Sequence, residues 1–334
     1  ITFSTQAQID SFPIHYPGCT EIEGEVVICY YWEGDIIISL DSLYSSTAIN
    51  GSLVVVGNHH LTSLDGLNSL TSIGGIHIRY NSSLTSLSGL ENQTSIGAYL
   101  WIESNDALTS LTGLENLTSI GDFLSIENND ALTSLTGLTG LTSIGGDFYI
   151  RSNDVLNNFT GLEGLSSIGG NLRINNNNAL TSLSGIDNIN SSSIQDMVIR
   201  TNFSLSKCEV LSICEYLAAP NGTVEIYDNA TGCNSKEEIL DSCEANGVDI
   251  VEQFIADKLF IYPNPTNSFF TIELPTQPSK NTSLTISNTN GQQLITQPLT
   301  EPQTEIDIIH LPVGIYIVKV WNDKGVRVQK IIKQ

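Results

Sequence analysis

Charge is scarce in this sequence of 334 residues, and positive charge is the scarcest: Lys and Arg together number 13, against 36 Asp and Glu. Most of the imbalance lies in residues 1–257, where six basic residues stand against 31 acidic ones and the net charge is −25. Such a surface repels phosphate backbones and anionic lipid headgroups. We therefore expect neither nucleic-acid binding nor direct membrane binding.

Long apolar segments are also missing. No run of about 18 apolar residues occurs, so we expect no membrane insertion. The sequence opens at Ile1 without a basic segment followed by an apolar one, and we expect a signal peptide to have been removed before this point.

Cysteine is absent from the long middle of the chain. The six cysteines lie near the two ends of residues 1–246, at Cys19, Cys29, Cys208, Cys214, Cys233 and Cys243. An even number at such positions predicts disulfides that involve all six, and hence an oxidising compartment, while the pairing stays open. A zinc site is disfavoured because the spacings lack the short Cys pairs of structural zinc sites.

Catalytic and metal-binding patterns are lacking as well. The five histidines show none of the spacings typical of a metal site, and no serine lies in a Gly-x-Ser-x-Gly elbow. We expect no metal, no cofactor and no enzymatic activity. A less favoured hypothesis is a glycan hydrolase that uses Glu103 and Glu127 as a carboxylate pair on successive strands.

What the sequence has in abundance is a repeat of about 24 residues, Leu-Thr-Ser-Leu-x-Gly-Leu-x-x-Leu-Thr-Ser-Ile-Gly, with small variations. Three positions before each start stands an asparagine, in a series of seven: Asn58, Asn81, Asn105, Asn129, Asn153, Asn177 and Asn202. A side-chain amide at a fixed position can bond its own chain and the next repeat. We interpret this series as structural.

A short strand with alternating apolar residues precedes each asparagine, which predicts an all-β fold. The inner row should contain Ile78, Ile102, Ile126, Ile150 and Ile174. Two outer rows should share the opposite face of the strands. The first outer row contains Val54, His77, Trp101, Ser125, Tyr149, Arg173 and Val198. The second outer row lies two residues further along each strand and contains Val56, Arg79, Glu103, Glu127, Arg151, Asn175 and Arg200. Aromatic rings flanked by arginines suit a ligand. The candidate binding residues are His77, Arg79, Trp101, Tyr149, Arg151 and Arg173.

The repeat resembles the leucine-rich repeats of receptor L domains, especially the bacterial surface forms, over roughly residues 17–245. The resemblance implies a right-handed β-solenoid that acts as a recognition or adhesion module, with a polysaccharide or a surface protein as its ligand. Two alternatives stay open beside it. The repeats could form a spacer or adhesin stalk without a specific ligand, or the regular row Thr62, Thr85, Thr109, Thr133 and Thr181 could form an ice-binding surface.

The composition changes near Lys258, where prolines cluster and the 24-residue period stops. We therefore divide the chain into a disulfide-capped leucine-rich domain at 1–246, a linker at 247–257 and a C-terminal domain at 258–334. Seven short predicted strands in the last domain indicate a small Ig-like β-sandwich.

Three segments of this domain resemble the C-terminal sorting domain of type IX secretion cargo in Bacteroidota. They are Tyr262-Pro263-Asn264-Pro265-Thr266-Asn267, Leu311-Pro312-Val313-Gly314-Ile315-Tyr316-Ile317-Val318 and Lys330-Ile331-Ile332-Lys333. The resemblance makes Tyr262, Pro263, Asn264, Pro265, Gly314, Tyr316, Val318, Lys330 and Lys333 the candidate sorting residues. It implies that the type IX translocon and its shuttle protein recognise the domain, that a sortase removes it, and that the protein reaches the cell surface or the extracellular space.

Overall fold

The computed structural model describes residues 1–29, 36–245, 260–274, 277–278, 281–288, 291–322 and 325–334, with only the main chain for 325–328. The chain divides into two compact units, Ile1–Val248 and Asp249–Gln334. The predicted linker at 247–257 lies outside the described residues.

The first unit is built mainly from short parallel strands. They are β1 (Thr2–Phe3), β2 (Glu21–Ile22), β3 (Val26–Cys29), β4 (Ala48–Val56), β5 (Ser72–Arg79), β6 (Ser95–Ile96), β7 (Leu100–Glu103), β8 (Ser119–Ile120), β9 (Leu124–Glu127), β10 (Ser143–Ile144), β11 (Phe148–Arg151), β12 (Ser167–Ile168), β13 (Leu172–Asn175), β14 (Met197–Arg200) and β15 (Val224–Tyr227).

The strands pair in register from one repeat to the next, so that equivalent residues stand side by side. The main ladder runs β3-β4-β5-β7-β9-β11-β13-β14-β15, and the two-residue strands β6, β8, β10 and β12 form a second ladder that continues from β5. All of these pairs are parallel. The 24-residue period thus becomes a stack of repeats, each bonded to its two neighbours.

The core of the stack follows the predicted inner row. Ile78 pairs with Ile102, and the row continues through Ile126, Ile150 and Ile174, all of them fully buried. The leucines of each repeat are also fully buried, as Leu111, Leu114 and Leu117 are. A single repeat cannot enclose these side chains, so the stacking supplies the hydrophobic burial.

A continuous asparagine ladder borders this core. The seven predicted asparagines are buried, and the main-chain N–H of each bonds the side-chain oxygen of the next, as Asn105 does with Asn129 at 3.1 Å. The structure extends the series to Asn229, which accepts from Asn202. The predicted amide bonding is confirmed.

The residue before each of these asparagines adopts a left-handed backbone conformation. Ser104, Asn128 and Ser152 have φ of 53°, 54° and 53°, and Gly57 precedes Asn58 with φ 71°. This conformation ends the strand and turns the next residue inward. The amide of Asn129 therefore reaches back to the carbonyl of Glu127 at 2.9 Å, besides that of Ile102 in the preceding repeat at 3.1 Å.

The fold is mostly β, as predicted, but the described residues also form three α-helices. They are α1 (Gln6–His15), α2 (Leu211–Ala218) and α3 (Lys236–Ala245), and they flank the repeats in sequence. Their buried residues, such as Ile9 and Phe12 in α1 and Ile213 in α2, add apolar cover beyond the strands. Two disulfides join Cys208 to Cys233 and Cys214 to Cys243, and the second ties α2 to α3.

The prediction that all six cysteines form disulfides is wrong for Cys19 and Cys29, which are free thiols in the structure. Glu21, two residues after Cys19, pairs with Ala48 at the start of β4, whereas Cys29 pairs with Val56 at its end. The two cysteines are thus directed to opposite ends of a nine-residue strand, while a disulfide requires Cα atoms within about 7 Å.

The second unit contains two antiparallel sheets. Their strands are β16 (Phe260–Tyr262), β17 (Phe269–Glu273), β18 (Ser283–Asn288), β19 (Gln293–Pro298), β20 (Gln303–Asp307), β21 (Gly314–Asn322) and β22 (Gly325–Lys333). The sheet orders are β16-β17-β20 and β19-β18-β21-β22. Both sheets contribute to one buried core that includes Phe270, Ile286 and Val318.

Candidate functional site

The two predicted outer rows are present on the main ladder. In the first row His77 pairs with Trp101, Trp101 with Ser125, Ser125 with Tyr149 and Tyr149 with Arg173. We call the two rows together the strand face. The face is only partly open, because Ser125 and His77 are buried, Trp101, Tyr149 and Arg173 are half-buried and Arg151 is exposed.

Aromatic side chains stack along the strand face. The ring of His77 lies parallel to that of Trp101, with centroids 4.2 Å apart, and Trp101 meets Phe123 edge-on at 6.3 Å. Tyr99 and Phe123 stack at 5.2 Å in a third row, just before the strands. The indole N–H of Trp101 is buried and has no hydrogen-bond partner. Its ring is therefore fixed by packing.

His77 is neutral at physiological pH. Burial, with a further contribution from the positive charge of Arg79, lowers the pKa of His77 to about 4. Its Nε2 lies 3.7 Å from a carboxylate oxygen of Glu103. Because the imidazole is uncharged near pH 7, this contact is not an ion pair there.

A pocket of about 480 Å³ opens between Trp101 and Tyr149. The two residues stand two strands apart, hence about 10 Å between their main chains, with Ser125 between them. The remaining wall carries Phe123 and three carboxylates. We call this cavity the aromatic pocket. Its full lining is Trp101, Asp122, Phe123, Ser125, Glu127, Gly146, Asp147, Tyr149, Gly169, Gly170 and Gln195.

The polar groups of the aromatic pocket are held in place. The hydroxyl of Tyr149 donates to Asp147, whose other oxygen accepts from the main-chain N–H of Asn171 at 2.6 Å. Burial and the carboxylate of Asp147 raise the pKa of Tyr149 to about 12. Ser125 donates to Glu127 at 2.6 Å. The pocket thus presents one neutral phenol and several hydrogen-bond acceptors.

A second pocket of about 390 Å³ adjoins the first, and Glu127 and Tyr149 line both. We call it the arginine pocket, because it brings three arginines together; its lining is Glu127, Tyr149, Arg151, Arg173, Asn175, Asn176, Arg200 and Thr201. The guanidinium of Arg173 lies 5.6 Å from the centre of the Tyr149 ring. Of the candidate binding residues, three therefore converge here, whereas Arg79 and His77 lie outside both pockets.

Seven of the eleven residues that line the aromatic pocket were not in the predicted outer rows. Phe123, Asp122, Asp147 and Gln195 precede the strands, whereas the alternation was applied only within them. The sequence did contain a signal for this additional row. Tyr99, Phe123, Asp147 and Asn171 occupy equivalent positions of successive repeats, two residues before the first outer row.

The carboxylates of Glu103 and Glu127 belong to paired strands. Burial, followed by the charge of Glu127, raises the pKa of Glu103. Glu127 lines both pockets and Glu103 lines neither. The two carboxylates thus do not share either of these two pockets.

The predicted threonine row is exposed, yet several of its hydroxyls are engaged within the protein. Thr85 donates to the carbonyl of Thr62, and Thr133 to that of Thr109, each at 3.2 Å. Among the described residues, no group of three or more His, Cys, Asp or Glu side chains is placed to hold a metal ion.

In the second unit, the three candidate sorting segments contact one another. The side chain of Asn264 donates to the carbonyl of Lys330 and accepts from the N–H of Ile332, both at 2.9 Å. Thr266 bonds the same strand through Ile332 and Gln334. Gly314 to Val318 lie in β21, which pairs with β22 along its whole length.

The two lysines of the last segment have different environments. Lys330 is exposed, whereas Lys333 is buried and donates to the carbonyls of Ile308, Ile309 and Leu311 at 2.6–2.7 Å. Tyr316 donates to the carbonyl of Pro312 at 2.6 Å, in the turn that leads into β21. The segments therefore form one bonded assembly around β22.

This assembly defines a C-terminal sorting module. Residues 260–334 match the family model of the secretion system C-terminal sorting domain. The protein is accordingly exported by type IX secretion to the cell surface or the extracellular space, and its C-terminal module interacts with that secretion machinery. No curated protein gives a significant match to the chain. Within the described residues, no helix has the length and apolar character needed to cross a membrane.

Proposed function

We propose that the first unit is a non-enzymatic recognition module that binds a polysaccharide at its strand face after export. The observation that carries the proposal is the aromatic pocket between Trp101 and Tyr149. Sugar rings pair an apolar face with a rim of hydroxyls, and this pocket combines aromatic rings with carboxylate acceptors. An open pocket of about 480 Å³ has room for a sugar ring, which supports a glycan ligand.

The scaffold would be a right-handed leucine-rich solenoid of the receptor L-domain kind. Its support is the parallel pairing of equivalent residues, the buried isoleucine row and the asparagine ladder. A fold of this kind holds side chains of successive repeats at fixed intervals of about 4.8 Å. The aromatic pocket uses this regularity, because its walls come from consecutive repeats.

The second unit would act as the export signal. We propose that a shuttle protein and the translocon recognise the assembly around β22, and that a sortase then cleaves before it. The support is the bonding of the three sorting segments to one another. Replacement of residues 260–334 by a flexible sequence should retain the protein in the periplasm of a type IX-competent cell.

The binding proposal can be tested with the full chain on a glycan array. Trp101→Ala and Tyr149→Ala should each abolish binding or reduce it by at least tenfold. Phe203→Ala is the matched control, because Phe203 is a highly exposed aromatic residue that lines neither pocket. Thermal unfolding of every variant checks that the fold is retained.

Binding without loss in the Trp101 and Tyr149 variants would contradict the proposed site. Failure of every sugar to bind would instead favour a structural spacer, for which the uninterrupted asparagine ladder offers a rigid stack. Cleavage of a bound glycan would overturn the non-enzymatic part of the proposal and favour catalysis by Glu103 or Glu127.

A further inference from the structure

The arginines of the first unit are distributed very unevenly. Residues 1–257 contain four arginines, and all four lie on the strand face, at Arg79, Arg151, Arg173 and Arg200. The same part of the chain carries a net charge of −25. Four of the six basic residues of this part of the chain, including every arginine, therefore lie on the strand face.

Three of these arginines surround one point. Arg151 and Arg200 flank Asn175 in the second outer row, one strand away on either side, and Arg173 lies two residues from Asn175 on the same strand. All four residues line the arginine pocket. Across a spacing of about 4.8 Å per strand, the three guanidinium groups can converge on a single ligand group above Asn175.

Among the described residues, none of these guanidinium groups has an anionic partner, and Arg200 donates instead to the hydroxyl of Tyr227. In the described part of the chain, the only contact at salt-bridge distance joins His77 to Glu103, so none of the four arginines is paired with a carboxylate. The Nε atom of Arg173 is buried without a hydrogen-bond partner. Burying a donor on a charged group without a partner costs free energy, which a bound anion would recover.

The two adjoining pockets differ in charge. The aromatic pocket contains the acidic residues Asp122, Glu127 and Asp147 and no basic residue, whereas the arginine pocket contains three arginines and one acid, Glu127. Carboxylates accept hydrogen bonds from hydroxyl groups and repel anions, while guanidinium groups bind carboxylate or sulfate through paired hydrogen bonds. The ligand should therefore carry hydroxyls at one end and an anionic group at the other.

Tyr149 joins the two pockets. Its ring borders the aromatic pocket, and the guanidinium of Arg173 lies 5.6 Å from its centre. A sugar ring stacked on Tyr149 would hold its ring substituent close to Arg173. From this juxtaposition we propose that the strand face recognises an acidic polysaccharide, whose ring stacks in the aromatic pocket and whose carboxylate or sulfate is bound by Arg151, Arg173 and Arg200. This inference rests on the proposed glycan-binding function and specifies the class of glycan.

The test compares matched ligands that differ only in charge. The full chain is titrated with oligogalacturonate against its fully methyl-esterified form, with hexameric β-1,4-glucuronate against cellohexaose, and with carrageenan oligosaccharides against their desulfated forms. We expect at least one acidic member to bind at least tenfold more tightly than its neutral counterpart. Binding of a uronate or of a sulfated oligosaccharide shows whether the anionic group of the ligand is a carboxylate or a sulfate.

The residues are tested with a pair of matched variants. The double variant Arg151→Gln/Arg200→Gln should weaken binding of the acidic ligand at least tenfold, and it leaves Arg173 in place against Tyr149. Lys207→Gln removes an exposed positive charge that lies off the strand face and lines neither pocket, and it should change binding less than twofold. Equal unfolding temperatures would show that both variants are folded.

Two results would overturn the inference, and they differ in what they leave standing. If neutral and acidic partners bind equally and the arginine variants have no effect, the glycan-binding function stands and the anionic specificity fails. If no ligand of any pair binds and the glycan array is also empty, the proposed function itself fails, and the inference fails with it.

Discussion

The imidazole of His77 lies flat against the indole of Trp101, with ring centroids 4.2 Å apart and planes inclined by 6°. The stack links the protonation state of His77 to the geometry of the aromatic pocket. Burial and Arg79 lower the pKa of His77 to about 4 in the folded protein, whereas the ordinary value is 6.5. Between these two values the unfolded chain binds more protons than the folded one. The stabilisation from neutral His77 is therefore complete above pH 6.5 and is lost as the pH falls toward 4.

Replacement of His77 by Gln should reduce the dependence of stability on pH. We expect the parent protein to lose more stability than His77→Gln between pH 7 and pH 4.5, by on the order of 1–3 kcal/mol. The measurement is thermal or denaturant unfolding of both proteins at the two pH values. His60→Gln is the control, because His60 is exposed and should leave the parent profile unchanged. A profile of His77→Gln identical to that of the parent would contradict the lowered pKa.

The asparagine ladder should contribute strongly to stability. Asn129 is fully buried, donates to the carbonyls of Ile102 and Glu127 and accepts from the N–H of Asn105. Asn129→Ala leaves these groups buried without partners, and we expect a loss of about 2–4 kcal/mol in the free energy of unfolding.

Asn116→Ala is the matched control for the ladder. Asn116 also bonds a neighbouring repeat, through the carbonyl of Glu91 at 2.8 Å, but it is exposed and water can replace its amide. Its substitution should cost less than about 1 kcal/mol. Equal losses of unfolding free energy in the two variants would show that burial of the asparagine ladder adds nothing to its contribution to stability.

The repeat explains how much of the first unit could be predicted from the sequence. A period of 24 residues places equivalent residues side by side in a stack, so the inner isoleucine row and both outer rows followed from alternation alone. The pockets did not follow, because their depth depends on residues before the strands, such as Phe123 and Asp147, and on the absence of a side chain at Gly146. An added Cβ there would lie 2.8 Å from Asp122 Oδ1.

The helices were missed although the sequence contains signals for two of them. At the start of α1 the hydroxyl of Thr5 accepts from the N–H of Gln8, and the Gln8 side chain accepts from the N–H of Ser4. At the start of α3 the hydroxyl of Ser235 accepts from the N–H of Glu238. Both pairs have the spacing of a capping box. The strong strand period elsewhere in the chain favoured an all-β interpretation over these two local signals.

The two free thiols and two disulfides can be counted by chemical modification. Alkylation of the denatured, unreduced protein should modify two thiols, Cys19 and Cys29, and all six should react after reduction. Mass spectrometry counts the modified sites. Fewer than two free thiols would show that Cys19 or Cys29 is oxidised after all, whereas more than two would contradict the disulfides Cys208–Cys233 and Cys214–Cys243. Cys214→Ser/Cys243→Ser should lower stability by about 3 kcal/mol, since this bridge closes a loop with a sequence separation of 29.

The sorting module should depend on Lys333 far more than on Lys330. The ammonium group of Lys333 is buried and serves three carbonyls, at Ile308, Ile309 and Leu311. Lys333→Met keeps the apolar stem and removes all three donors, so it should destabilise the module by about 2–4 kcal/mol. Lys330→Met alters an exposed lysine of the same segment and should be nearly neutral for folding.

Both variants of the full chain are expressed in a type IX-competent cell, and the fraction exported and its resistance to protease are measured. Low export and rapid proteolysis of Lys333→Met alone would assign Lys333 a structural role. Loss of export in Lys330→Met with normal protease resistance would assign Lys330 a direct contact with the secretion machinery. If Lys333→Met matches the parent in both measurements, the buried ammonium does not hold the module together.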